Sequence, residues 1–455
     1  MEADHDEAGE NPDMKINAYG KVAFATLGCK VNQYESAGMR GTFGAEGFRI
    51  VSFSEAADVY VINTCTVTEK TDYQSRQLVR RANRMNPAAA IVVTGCYAQV
   101  APEELLALPG VRLLAGNGEK IDILALLQAL GDEERLVRAG DISLSRSFSR
   151  WSRCSLQGRT RALLKVQDGC DSLCSYCIVP RARGPSRSLP AEEVLDEIAF
   201  LADKGYREVV LTGIHLGMYG QDLPGGTDLL FLLRKIEEQG ILSRLRLSSI
   251  EPLEVTPELL SHMRESKIIC RHLHIPLQSG DDRILSHMRR NYTSGQYRTL
   301  IEDIISILPD AAIGIDVMAG FPGEGEREFE NTLTFIEELP VAYLHAFPYS
   351  KRPGTPAAVL PGQIEAGLKK ERVNLLRKLG ERKRDAFARG FVGRRLSVLV
   401  ESASDRKTGF MKGFSDNYIP VLLPEGKASF SNSIMDVLAV EAKEGRLIGR
   451  AYGHG

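Results

Sequence analysis

The 455-residue chain has no apolar run near the roughly 20 residues that span a membrane. Its opening, MEADHDEAGENPDMKIN, is acidic and contains no apolar stretch of the kind a secretion signal needs. Residues 1–18 are therefore expected to form a disordered acidic tail, with Met14 as an alternative start. The protein is expected to be cytoplasmic, with no membrane partner, and monomeric. Internal repeats and low-complexity tracts are absent, which argues against solenoids and arrays. The net charge of −2 excludes a polycation, although charge is unevenly placed. Residues 145–165 carry six basic residues and no acid, and residues 369–395 carry eleven basic and three acidic. Cysteine is scarce, at eight residues. Without a secretion signal a disulfide framework is not expected, and clustered cysteines in a reducing compartment point to metal or redox chemistry.

The chain is α/β over most of its length. Residues 19–135 alternate strand-like runs (KVAFATL, DVYVIN, AAIVVTG, VRLLAG) with helix-like runs at 33–46, 68–85 and 120–130. This predicts an N-terminal parallel α/β domain. A Ser/Arg-rich basic linker is expected at 136–160. From 161 to about 346 the alternation resumes with RALLKV, EVVLTG, LRLSSI, RHLHIP, AIGIDVM and AYLHAF. Six such units predict a (βα)6 partial TIM barrel, ending at 389 with a basic helix from about 364. Parity supports it. Arg244, Arg246 and Ser248 share one strand face against Leu245 and Leu247, and His272 and His274 oppose Leu273 and Ile275. Such strands suit a polar lumen and a helix-covered outer face. Residues 390–455 read as a small OB-like β-barrel.

Three strands of the N-terminal domain each end on a cysteine: VAFATLGC at Cys29, VINTC at Cys65 and AAIVVTGC at Cys96. Strands of one parallel sheet share a C-terminal edge, where such sheets bind ligands. The three thiols therefore converge, although 36 and 31 positions separate them. Zinc with an open position and an iron–sulfur cluster with one free iron both fit this triad. The second cluster is sharper. DGCDSLCSYC places Cys170, Cys174 and Cys177 as Cys-x3-Cys-x2-Cys after a strand, so one loop can wrap a cubane and leave an iron open. Tyr176 can pack beside it. Cys154 and Cys270 stand alone and are read as non-ligands. GFPGEGE lacks a Gly-Lys-Ser/Thr ending and is no phosphate loop.

The second loop resembles the signature of radical S-adenosylmethionine enzymes. TLGCKVNQYES, VINTCTVTEK and VVTGCYAQ resemble the N-terminal domain of methylthiotransferases. LKVQDGCDSLCSYCIVPRARGPSRS, LTGIHLGMYG, LRLSSIEP, RHLHIPLQSG, DVMAGFPGE and FPYSKRPGTPA resemble their radical core, and GFSDNYIPV their TRAM domain, an RNA-binding β-barrel. Within the group, GCKVNQYE and HIPLQSG resemble the enzymes acting on threonylcarbamoyladenosine in tRNA. Arg181 departs from the pattern, standing where an aromatic residue is expected.

The resemblance implies two four-iron four-sulfur clusters, on Cys29/Cys65/Cys96 and on Cys170/Cys174/Cys177. It implies two S-adenosylmethionine molecules per turnover, one methylating a sulfur held at the first cluster and one giving the 5′-deoxyadenosyl radical. Adenine carbon 2 of an anticodon-loop tRNA nucleoside would receive the methylthio group, with the base flipped out of its stack. A reducing electron donor and a sulfur source are implied as further partners. Gly213, Ser248, Glu251, His274, Gln278 and Gly320, with Tyr176, are the candidate cofactor-binding residues, at or near C-terminal strand ends where barrel enzymes build sites. For RNA, the basic linker and helix can follow a phosphate backbone, and Phe414 and Tyr418 can stack on an unpaired base. Arg181 or Arg183 can pair with the threonylcarbamoyl carboxylate. The alternatives are isopentenyl-adenosine tRNA or a ribosomal-protein aspartate as substrate, and a non-catalytic zinc-bearing RNA-binding protein.

Overall fold

The computed structural model describes residues 20–131, 134–151 and 159–452. The acidic tail with Met14, and Cys154, lie outside the described residues. The N-terminal domain is a six-stranded, all-parallel sheet in the order Arg49–Val51, Lys21–Thr26, Val59–Thr64, Ala90–Gly95, Val111–Ala115, Leu136–Arg138. Val59–Thr64 and Ala90–Gly95 are buried throughout, as central parallel strands covered on both faces should be. Two three-residue edge strands, Arg49–Val51 and Leu136–Arg138, extend the sheet beyond the expected strands.

Leu136–Arg138 also corrects the linker boundary, since the sheet takes in residues assigned to the linker. The described part of that linker is tied down. Trp151 is buried, its carbonyl accepts from Tyr34 Oη (3.0 Å), and Arg150 pairs with Glu193 and Glu197.

Six parallel strands follow: Arg161–Lys165, Glu208–Thr212, Arg244–Leu247, His272–His274, Ala312–Ala319 and Tyr343–Pro348. They form two three-stranded sheets, joined by parallel bridges Leu245–Ile269 and Ser249–His274. This is the expected open barrel. Helix Ala366–Arg389 packs on the last strand, where Gly380 lets it approach: a Cβ there would lie 2.9 Å from Leu344. Arg372 is buried against Glu324 (2.8 Å) and Lys383 Nζ donates to the carbonyls of Glu337 and Leu339. Part of this helix's basic charge therefore secures the barrel, while Lys370, Arg377, Lys378 and Arg384 remain exposed.

The C-terminal unit is a closed five-stranded barrel of Arg395–Val400, Met411–Ser415, Pro420–Leu423, Arg446–Ala451 and Ile434–Lys443. It docks on the core through Arg244, which donates to Ser397 Oγ (2.7 Å), and Arg246, which donates to the Asp416 carbonyl (2.9 Å).

Candidate active site between two cysteine triads

Cys29, Cys65 and Cys96 follow Lys21–Thr26, Val59–Thr64 and Ala90–Gly95, three strands adjacent in the sheet. Neighbouring strands stand about 4.8 Å apart, so topology alone gathers the thiols. Two glycines make room. Gly28 and Gly95 both have φ of 96°, and a Cβ would lie 3.0 Å from Cys65 Sγ at the first and 2.4 Å from the Thr64 carbonyl at the second. Asn32 Nδ2 ties the edge together by donating to the carbonyls of Leu27 (2.8 Å) and Thr64 (3.0 Å). Cys65 and Cys96 are 5% and 7% exposed. Cys29 is exposed, yet desolvation by the surrounding protein raises its thiol pKa.

Burial pushes the Cys65 thiol up to about 12, and the neighbouring Cys96 and Cys29 add to the shift. Burial does the same to Cys177, up to about 12, with Cys174 and Cys170 contributing. Cys65 and Cys177 thus resist ionisation until a cation arrives, and a coordinating metal deprotonates thiols outright. The donor sets are all sulfur, three per site, which is the set that a four-iron four-sulfur cluster with one open iron takes.

The second triad follows the short strand Gln167–Asp168, which pairs with Arg187–Ser188. Gly169 (φ 74°) has the Pro185 carbonyl where a Cβ would be, at 1.9 Å, so the loop turns only with glycine there. Cys170 Sγ lies 3.3 Å from His215 Nδ1, whose Nε2 meets Glu254 at 2.5 Å. Cys174 Sγ lies 3.4 Å from Arg290 Nη1, and Arg290 also pairs with Glu251. A cavity of about 550 Å3 is lined by Cys174, His215, Glu251, Glu254 and Arg290, among others. Glu251 and Arg290 offer both signs of charge to a zwitterionic ligand. Tyr176 packs with Ile284, Met288 and Phe321.

The other candidate residues divide. Ser248 Oγ and Gln278 Oε1 are buried with no hydrogen-bond partner, the condition of atoms awaiting a ligand. His274 is engaged by Asp316 (3.1 Å). Gly213 lies against Gln167, where a Cβ would be 2.8 Å from Oε1. Gly320 (φ 76°) donates its N–H to Glu324 (2.8 Å) and lets Lys369 pass, so packing accounts for it.

The residues expected to contact RNA divide, and Arg183 is corrected. Arg183 is 1% exposed and saturated by Glu35 (3.0 Å), Asp168 (2.8 Å) and Asn32 (2.5 Å), so it has no bond left for a substrate carboxylate. Arg181 is exposed and donates through Nη1 to the Pro353 carbonyl (3.1 Å), which leaves its other donors open. Phe414 and Tyr418 stack on each other (5.0 Å between centroids) under Arg161 and Arg246, and Tyr418 meets His272 at 4.7 Å. They form the seam between barrel and core.

Sequence reasoning missed the buried network that joins the two sites. Lys120 and Lys165 complete it, at 2.5 Å from Glu35 and 3.0 Å from Asp168 respectively. Burial alone would raise the Glu35 pKa, yet Arg183, Lys120 and Lys165 together hold it down to about 2. Glu35 belongs to the helix after Cys29, and Asp168 lies two residues before Cys170. No local pattern announces such a network. A cavity of about 810 Å3, lined by residues such as Arg207, Arg264 and Arg271, lies at the N-terminal ends of the core strands, away from the Cys170–Cys177 loop.

Residues 21–116 match the Uncharacterized protein family UPF0004, and residues 164–336 match the Radical SAM superfamily. The chain is 40% identical to threonylcarbamoyladenosine tRNA methylthiotransferase MtaB of Bacillus subtilis, over 92% of this chain and 94% of the relative. It is 41% identical to the MtaB of Aquifex aeolicus, over 84% and 92%. It is 32% identical to tRNA-2-methylthio-N(6)-dimethylallyladenosine synthase of Pelotomaculum thermopropionicum, over 94% and 97%. Among solved structures, the radical S-adenosylmethionine methyltransferase TsrM from Kitasatospora setae shares the fold, with a TM-score of 0.56 and 16% identity, over 86% of this chain and 80% of that one. With two cysteine triads on the two matched segments and relatives spanning nearly its whole length, the chain belongs to the radical S-adenosylmethionine methylthiotransferase family.

Proposed function

We propose that the protein is a tRNA methylthiotransferase that converts N6-threonylcarbamoyladenosine, 3′ of the anticodon, to its 2-methylthio derivative. The observation that carries this is 35–41% identity to five relatives, all threonylcarbamoyladenosine tRNA methylthiotransferases, over 84–94% of this chain. Family membership implies a four-iron four-sulfur cluster and S-adenosylmethionine, and the UPF0004 segment suggests a second cluster. We assign the first to Cys170, Cys174 and Cys177 and the second to Cys29, Cys65 and Cys96. When bound, these groups supply an electron for sulfonium cleavage at one site and a transferable sulfur at the other.

The chain's own residues set the stage for that chemistry. Arg290 and Glu251, beside Cys174, orient a charged ligand at the open corner. Tyr176 closes the apolar side. The buried Glu35–Arg183–Asp168 network ties the helix after Cys29 to the strand before Cys170. tRNA is the partner this reading requires, and among the described residues no helix is long and apolar enough to cross a membrane.

Dimethylallyladenosine enzymes match at 32–33%, so the reaction class is common to both and the substrate is the point to test. Nucleoside mass spectrometry of tRNA from a deletion strain decides it. Loss of 2-methylthio-threonylcarbamoyladenosine, restored by the wild-type gene, is expected. Loss of the isopentenyl form instead would transfer the protein to the other substrate. Anaerobically purified protein that is colourless and holds zinc would remove it from catalysis altogether.

A further inference from the structure

A cleft of about 340 Å3 opens where three parts of the chain meet: the start of helix Lys30–Ala45, the first strands of the core, and the terminal barrel. Its size is within the range of small-ligand sites. Its wall includes Lys30, Arg159, Arg161 and Arg246 but only one acid, Glu401. Most of these cations are committed. Arg246 is held by Glu208 (2.7 Å) and by the Asp416 carbonyl. Arg161 pairs with Glu401 (3.1 Å) and lies over the Phe414 ring. Arg159 donates to Gln33 Oε1 (2.9 Å).

Lys30 differs. Among the described residues it has no hydrogen-bond or ion-pair partner. It is exposed, and its side chain lines the cleft beside Arg161, Arg246 and Tyr418. An ammonium so placed is stabilised by an incoming anion. The next residue back is Cys29, so an anion on Lys30 is held one residue from the N-terminal triad. His272, packed against Tyr418 of the same cleft, keeps Nδ1 buried without a partner.

We propose that Lys30 is the specificity-determining residue that receives the threonylcarbamoyl carboxylate of the substrate nucleoside. This rests on the substrate named above and replaces the pairing expected of Arg183. An anion could also come from a tRNA phosphate. The carboxylate is favoured because the cleft offers a single uncommitted cation among its described lining, whereas a backbone track needs a row of them. An isopentenyl group has no charge to place there.

The test uses anaerobic holoenzyme and anticodon stem-loops carrying threonylcarbamoyladenosine, its methyl ester, or unmodified adenosine, with binding read by anisotropy. Wild type should bind the acid about ten- to a hundredfold more tightly than the ester. Lys30→Gln should erase that gap, leave the unmodified stem-loop's affinity unchanged, and retain wild-type iron and electron paramagnetic resonance spectra. Lys30→Arg should restore most of the gap. Equal weakening of all three ligands by Lys30→Gln would mean a phosphate contact and overturn the assignment, as would an undiminished gap. Should Lys30→Gln lose iron, Lys30→Arg must keep the acid–ester gap and its decline with added salt, and a wild type without that gap overturns the assignment. A wild type that makes the methylthio product but shows no gap sinks only Lys30. One that makes no product from threonylcarbamoyladenosine sinks the functional reading with it.

Discussion

The two cysteine triads present the same three thiols but are assembled by opposite means. Cys170, Cys174 and Cys177 lie on one short loop, so local chain geometry suffices to bring them together. Cys29, Cys65 and Cys96 come from three neighbouring strands, and only the completed sheet unites them. The loop triad is addressed by individual side chains, His215 at Cys170 and Arg290 at Cys174. The sheet triad depends on backbone, through Gly28 and Gly95 in the left-handed region and on Asn32 bridging two carbonyls. A site made by topology inherits the stability of its domain. A site made by a loop needs only its own turn.

Removing one ligand from each site should separate their duties with the largest effects. Cys174→Ala and Cys65→Ala should each lower iron from about eight to about four per chain. Only Cys174→Ala should abolish cleavage of S-adenosylmethionine. If Cys65→Ala also stopped cleavage, the triads would not be independent. A sharper contrast touches no ligand. Gly95→Val puts a side chain onto the Thr64 carbonyl at an unfavourable φ, and should cost the N-terminal iron while the core iron remains. Leu173→Ala, in the core loop but 76% exposed, should leave iron content at both sites unchanged. Iron and acid-labile sulfide measurements check both.

That contrast also explains what could be read from sequence. The buried strands ending on cysteine were legible because strand runs and scarce residues coincide in sequence. The six core strands were legible from alternation, and the small barrel from its turns. Arg49–Val51 and Leu136–Arg138 were not, because three-residue edge strands carry no period. Arg183 was misread because a basic residue near a cysteine loop looks available until its partner, Glu35, arrives from 148 positions away. Phe414 and Tyr418 resemble stacking platforms in isolation, and only the docked barrel shows them occupied by Arg161 and Arg246. Arg290 gave no signal, since its value lies in its nearness to Cys174 and Glu251.

The network between the triads should respond as a shared element. Glu35→Gln removes the carboxylate that Arg183, Lys120 and Lys165 all address, leaving buried cations short of countercharge. Breaking a buried pair in this way costs about 3–5 kcal/mol. Urea unfolding of the anaerobic protein should show a loss of that order, with both the N-terminal and core units affected. Destabilisation confined to one unit would mean that the network serves a single site.

The smallest effect should come from Asn117, the tie between the N-terminal site and the core loop. Its Nδ2 donates to the Ala182 carbonyl (2.6 Å) and lies 3.7 Å from Cys96 Sγ. Its Oδ1 is buried without a partner, so Asn117→Ala removes an unsatisfied acceptor along with a made bond. The net cost should be about 1 kcal/mol, near that of a single neutral hydrogen bond. Asn117→Asp keeps the shape but turns the donor into a second acceptor, facing a carbonyl and a cluster thiolate. It should therefore cost more than alanine and act on the N-terminal iron alone, leaving the loop triad loaded. Equal loss of iron from both sites in Asn117→Asp would show that the sheet-built site and the loop-built site are coupled through this contact, and the distinction between them would fail there.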